Sequence, residues 1–156
     1  MEKDVSVLLH DVRSAHNVGS VFRTSDASGV KRIFLTGFTP LPIDRFGRAQ
    51  KEIAKTALGA ETSVPWEYHE DLSALISHLK DEGHEIVGVE QDPRAQDYRT
   101  YEPTKPVVCI FGNEVDGIPG AVLDLCDSII EIPMHGMKES LNVSVSAGIV
   151  LFRMRG

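Results

Sequence analysis

Short apolar runs separated by stretches of helical periodicity constrain this chain more than any other feature. Residues 5–10 (Val-Ser-Val-Leu-Leu-His), 32–36 (Arg-Ile-Phe-Leu-Thr), 85–89 (Glu-Ile-Val-Gly-Val), 106–111 (Pro-Val-Val-Cys-Ile-Phe) and 128–132 (Ser-Ile-Ile-Glu-Ile) each have the length of a strand. Several are apolar at consecutive positions, the pattern of strands covered on both faces. Residues 62–68 read as a further strand that Pro65 interrupts or confines to an edge. Between the strands, Leu72, Leu75, Ile76 and Leu79 recur at helical spacing and predict a helix over 70–82. Another helix carries Val21, Phe22, Ser25 and Ala27 after a polar loop and stops at Gly29, a residue suited to a left-handed cap. Residues 50–58 form a short helix, and Pro119 opens one with Val122, Leu123 and Leu125 on its inner side. Residues 38–49 and 91–105 are irregular connections. Strands alternating with helices give an α/β fold, a mostly parallel sheet with helices on both faces. With no linker, repeat or low-complexity tract, residues 1–156 are expected to form a single domain.

A net charge of −7 and a pI near 5.3 have the wrong sign for a protein that coats nucleic acid. The charge is uneven, however. Lys31, Arg32, Arg45, Arg48, Lys51 and Lys55 face only Asp44 and Glu52 over residues 31–55, whereas acidic residues prevail from 61 to 104. Each run is explained by a solvated face, and the first also leaves room for a local phosphate-binding patch. No apolar run is long enough to cross a bilayer, and Met1-Glu2-Lys3-Asp4 lacks the features of a signal peptide, so a cytoplasmic location and no membrane partner are expected. Cys109 and Cys126, far apart in apolar surroundings, read as buried reduced thiols. The histidines show no metal-ligand spacing, and no metal is expected. Neither a Gly-x-Gly-x-x-Gly nor a Walker loop is present, which argues against a dinucleotide enzyme or a P-loop NTPase.

Ligands of parallel α/β sheets bind beyond the carboxyl ends of strands, and three such loops carry candidate chemistry. The first, residues 17–29, contains Asn17, placed to cap the following helix, and Arg23 in its second turn; by themselves these read as a cap and a solvated residue. The second, residues 111–119, contains Gly112, Glu114 and Gly117, where the glycines permit close backbone approach or a plain turn. The third is the segment 132–149. Leu141, Val143, Val145, Ala147 and Ile149 alternate with small or polar residues, which favours a half-buried strand. A helix with Ser140 as N-cap, apolar on nearly every face, fits the same residues. Ser140 and Asn142 would present polar groups from its start. A Ser140 nucleophile would need a paired base, and none is suggested.

Taken together, the loops read Asn-x-Gly-x-x-x-Arg (from Asn17), Phe-Gly-x-Glu-x-x-Gly (from Phe111) and Ile-Pro-Met-x-Gly-x-x-x-Ser-Leu-Asn-Val (from Ile132). In order and spacing they resemble the three motifs of the SpoU (TrmH-like) class of SPOUT RNA methyltransferases, and Lys-Thr-Ala-Leu-Gly-Ala-Glu from Lys55 resembles the intervening segment. The likeness runs from about Val7 to Phe152. It implies a helix after Ser140, a C-terminal deep trefoil knot, which departs from the rule against threaded connections, a homodimer, and S-adenosyl-L-methionine bound in a bent shape. It further implies RNA 2′-O-ribose methylation of tRNA or rRNA. By the same resemblance Arg23, Asn17, Glu114, Ser140 and Asn142 match functional positions, and Val89, Gly112, Ile132 and Leu141 match cofactor-holding ones, with Glu90 beside them. The terminal helical extensions with which many relatives grip RNA are absent from residues 1–156, and Arg45, Arg48, Lys51 and Lys55 are the candidate RNA contacts. Other classes stay in view: a catalytically inactive RNA-binding or assembly factor on the same fold, and a flavodoxin-like nucleotide binder, which the third motif does not fit.

Overall fold

A computed structural model describes residues 3–156; Met1 and Glu2, on which the expectation about a signal peptide partly rests, lie outside the described residues. The chain runs β1 (Val5–His10), α1 (Ala15–Ser28), β2 (Ile33–Thr36), α2 (Lys51–Ala57), α3 (Ala60–Ser63), β3 (Trp66–His69), α4 (Leu72–Asp81), β4 (Glu85–Val89), β5 (Gln96–Asp97), β6 (Val107–Phe111), α5 (Gly120–Leu123), β7 (Ser128–Glu131) and α6 (Val143–Arg155). The strands form one sheet in the order β3-β2-β1-β6-β4-β7-β5, and every pairing between them is parallel. Strand β6 lies at its centre, buried at all five residues.

The period-two geometry of the strands divides the core between two faces. Val5, Val7, Leu9, Cys109 and Phe111 point to one face, where they meet Val18, Val21 and Phe22 of α1, Ile53 of α2, and Val143, Ala147, Val150, Leu151 and Met154 of α6. Leu8, Phe34, Val108 and Ile110 point to the other, under Leu75, Ile76 and Leu79 of α4 and Leu123 of α5. Covered on both sides, these strands are apolar at most positions, and Ser6 and Thr36 are buried polar exceptions in β1 and β2.

Several boundaries differ from the sequence reading. Helix α1 starts at Ala15 rather than near Val21, and its N-cap is Ser14, whose hydroxyl accepts the Asn17 amide at 3.1 Å; Asn17 itself lies inside the first turn. Segment 143–155 is a helix, not the strand its alternation favours, and its cap is Asn142 rather than Ser140. Pro119 stands at the N-cap position of α5 and not in its first turn. The connection 91–105 contains the two-residue β5, which borrows its register from β7. Pro65 does precede an edge strand, β3, which begins at Trp66.

Helix α1 crosses α2 closely at Gly19. A Cβ there would collide with the Thr56 hydroxyl and the Ile53 carbonyl oxygen, and Thr56 Oγ1 donates to the His16 carbonyl at 2.9 Å. The glycine of the first motif therefore serves helix packing, not ligand approach. Among the described residues, no helix is long and apolar enough to cross a membrane, and no group of three or more His, Cys, Asp or Glu is placed to hold a metal.

Cys109 and Cys126 are free thiols, and burial pushes Cys109 up to about 12 and Cys126 up to about 11. Since the thiolate is the reactive form, a disulfide reagent at pH 8 is expected to label neither thiol promptly in the native protein and both in denaturant. Prompt labelling of Cys109 in the native state would contradict this packing.

Candidate active site

Strand order sets the place of the site. The site lies beyond the carboxyl ends of three neighbouring strands, β6, β4 and β7, which supply Phe111, Val89, Glu131 and the residues that follow them. The first motif follows β1, the second follows β6, and the third runs from β7 into α6. All three meet around a cavity of about 370 Å³.

A hydrogen-bonded chain of side chains joins the motifs. The Glu114 carboxylate accepts the backbone amides of Arg13 (3.1 Å) and Ser14 (3.0 Å) and, more loosely, Asn17 Nδ2 (3.5 Å). An acceptor at this place faces the orphan amides and positive end of α1. Asn17 Oδ1 accepts from Asn142 Nδ2 at 3.3 Å, and Asn142 Oδ1 in turn caps α6 through the Ser144 amide at 2.9 Å. Residues 14, 17, 114 and 142 are thereby brought into one network across the starts of two helices.

The second-motif loop is closed just as tightly. Asn113 and Gly117 exchange backbone hydrogen bonds, and Asn113 Oδ1 accepts the amides of Val115 and Asp116. A Cβ on Gly112 would lie 2.6–2.7 Å from backbone atoms of Gly117 and Ile118, and Gly117 has φ 70°. Glu90 is built into this loop: its carboxylate accepts the amides of Ile118 (2.8 Å) and Gln91 (3.0 Å). Gln91 Nε2 donates to the Ile132 carbonyl at 2.8 Å, tying the third motif to the end of β4.

Of the residues singled out in the sequence, Asn17, Glu114, Ser140, Asn142, Val89, Glu90, Gly112, Ile132 and Leu141 all line the cavity. Arg23 does not. It lies exposed on α1, in a separate depression formed with Ser20, Thr24, Ala27, Lys55, Thr56, Leu58 and Phe152. Lys51 and Lys55 are exposed on α2. Arg45 and Arg48 sit over the Phe46 ring at 4.8 and 5.0 Å, and Arg48 pairs with Asp44 at 3.0 Å. Sequence reasoning missed Gln91, Asn113, Glu131, Met134 and Ser146, which also line the cavity. Ser146 lies one helical turn beyond Asn142 and is legible once the cap is known; Gln91 carries no local signal.

Among the described residues, the lining contains Glu90, Glu114 and Glu131 but no lysine or arginine, beside apolar Val89, Phe111, Ile132, Met134, Leu141 and Val143. Such a cavity suits a flat apolar group joined to a cation, and it opposes a ligand that brings phosphates. Replacing Glu114 by alanine is expected to release the Arg13 and Ser14 amides and cost about 1–2 kcal/mol of stability, the usual scale of a lost helix-start acceptor. Denaturant unfolding with an unchanged m-value checks this, and unaltered stability would show that the clasp contributes nothing.

Comparison with known proteins adds the next step. A model of the SpoU rRNA Methylase family matches residues 4–152. The tRNA (guanosine(18)-2′-O)-methyltransferase of Thermus thermophilus is 34% identical over 154 residues, covering 97% of this chain and 74% of that one. Its counterpart from Escherichia coli is 32% identical over 151 residues, 97% of this chain and 62% of the other. An AdoMet-bound rRNA methyltransferase from Sinorhizobium meliloti superposes with a TM-score of 0.88 at 30% identity, covering 98% of this chain and 56% of that structure. The chain thus spans roughly three fifths of the length of the Escherichia coli and Sinorhizobium meliloti proteins. Because that match embraces every strand and all three motif loops joined by Glu114, Asn17 and Asn142, this chain belongs to the SpoU rRNA methylase family.

Proposed function

We propose that the protein is an S-adenosylmethionine-dependent RNA 2′-O-ribose methyltransferase acting on tRNA or rRNA in the cytoplasm. The observation that carries this reading is the acidic, phosphate-averse cavity at the meeting point of the three motifs. The cofactor supplies an electrophilic methyl on a sulfonium centre. Apolar Val89, Ile132, Met134 and Leu141 would hold its adenine, and Glu90, Glu114 and Glu131 would give its two cationic groups a negative potential. Glu90 acts mainly by holding the Gly112–Ile118 turn, since its carboxylate already accepts two amides. The C-terminal threading implied by the resemblance belongs to this reading. It is supported by α6 returning to pack against α1 and β1 although it follows β7, on the far side of β4.

The residues' part in transfer is orientation and proton management. Asn17 and Glu114 fix the start of α1, and Ser140 and Asn142 present polar groups at the cavity rim to the ribose. A guanidinium group offers donors and no acceptor, so Arg23 is not assigned the part of a base. It instead grips an RNA phosphate and sets the 2′-hydroxyl, whose proton leaves to phosphate or water. That role requires a homodimer, because Arg23 stands outside the cavity of its own chain.

The surface of α6 supports such pairing. Leu141, just before the helix, and Val145 and Phe152 form an exposed apolar stripe (39%, 49% and 53% exposed). Leu141 borders the cavity at the start of α6, and Phe152 borders the Arg23 depression near its end. Two copies paired antiparallel along this stripe would each bring Arg23 toward the other's cavity, an isologous contact.

Arg23→Ala should keep the fold and the calorimetric affinity for S-adenosylmethionine, measured with a chelator present. Single-turnover methyl transfer at saturating RNA should fall at least about 100-fold, the scale of a mispositioned reactant. Near-normal transfer would remove Arg23 from the mechanism, and no heat from cofactor binding in the unaltered protein would overturn the reading itself.

A further inference from the structure

Two phenylalanines play no part in the core or in the cavity. Phe46 is 66% exposed at the tip of the β2–α2 connection, and Phe38 is 74% exposed at the start of the same connection. Each carries arginine: Arg45 and Arg48 lie 4.8 and 5.0 Å from the Phe46 ring centre, and Arg13 lies 5.0 Å from that of Phe38.

Both rings are held on a firm base. Asp44 accepts the amides of Phe46 (2.8 Å) and Arg48 (2.9 Å), and its amide donates to the Arg48 carbonyl, closing the tip into a tight turn. These bonds, that to the Arg48 amide foremost, hold the Asp44 carboxyl below the usual carboxylate range. The Phe38 amide donates to Asp11 Oδ1 at 2.8 Å, and the Asp11 carbonyl accepts Asn113 Nδ2 at 2.9 Å. Asp11 adopts φ 55°, a left-handed conformation uncommon outside glycine. The Phe38 end is thus fastened to the loop that closes the cavity, and Arg13 itself donates its backbone amide to Glu114.

Resting on the RNA-methyltransferase reading, we infer that Phe38 and Phe46, with Arg13, Arg45 and Arg48, form a platform on which unpaired bases of the RNA stack, so that the substrate is a single-stranded loop and not a continuous duplex. Rings capped by guanidinium groups offer stacking and cation–π faces to any base, and the basic groups answer the adjoining phosphates. A duplex keeps its bases stacked on one another and has none to offer a ring. Arg13, Arg45 and Arg48 gather basic charge at these rings in a chain that is acidic overall, and charge complementarity therefore selects RNA as the occupant.

The test uses two synthetic RNAs of equal length, a hairpin with 2-aminopurine in its loop and a fully paired duplex. The unaltered protein should prefer the hairpin and quench its fluorophore. Phe46→Leu and Phe38→Leu should each weaken hairpin binding roughly 5- to 150-fold, the range of one lost base–aromatic stack. Duplex binding and calorimetric affinity for S-adenosylmethionine should not change. Hairpin binding by the variants equal to that of the unaltered protein would overturn the platform while leaving the methyltransferase reading intact. A changed sedimentation coefficient in the Phe46→Leu variant would assign the ring to a subunit contact and overturn it as well. Failure of the unaltered protein to bind either RNA would instead strike at the RNA reading on which the platform rests.

Discussion

Glu114 sits where two helices and a turn would otherwise come apart. Its carboxylate meets the first amides of α1, Asn17 in that helix reaches Asn142, and Asn142 starts α6. Residues about a hundred positions apart in sequence thereby share one set of hydrogen bonds. An unmet amide at a helix start is a penalty in any fold. Here two such starts are met by a single network, and the network's other side is the wall of the cavity. The same groups that begin the helices therefore shape the site, and the site cannot be loosened without loosening them.

Close backbone approach provides the second constraint. Gly19 lets α1 lie against α2, while Gly112 and Gly117 let the second-motif turn fold onto Glu90. Around this compact centre the charges are segregated. The cavity lining is acidic without a basic residue, and the basic groups lie outward on α1, α2 and the β2–α2 connection. On the proposed function, a cationic methyl donor and a polyanionic substrate would each find the potential they require.

The sheet was legible because strands buried on both faces must be apolar at successive positions, as in residues 107–111. Helix α6 was not legible from its period. Val143, Ala147, Val150, Leu151 and Met154 are buried on one side, and Leu141, Val145 and Phe152 are apolar yet exposed on the other, so no polar face marks the turn of the helix. Its cap was misplaced by two residues because Ser140 and Asn142 are equally able to cap, and only the contact with Asn17 favours the latter. The early start of α1 was hidden for a similar reason, its first turn being polar and glycine-containing. Most cavity residues were reached through the motif resemblance, but the separation of Arg23 from the cavity is a matter of three-dimensional placement that no spacing encodes.

Glu114 and Asn142 act through Asn17 as one unit. A double-mutant cycle with Glu114→Gln and Asn142→Ala, read as calorimetric affinity for S-adenosylmethionine, measures this directly. Joined by the network, the two changes should be non-additive, with an interaction energy of about 0.5–3 kcal/mol. That interaction should vanish when the cycle is repeated in an Asn17→Ala background. Additive losses in the unaltered background, to within about 0.3 kcal/mol, would show that the three motifs meet at the cavity without supporting one another and would contradict the account.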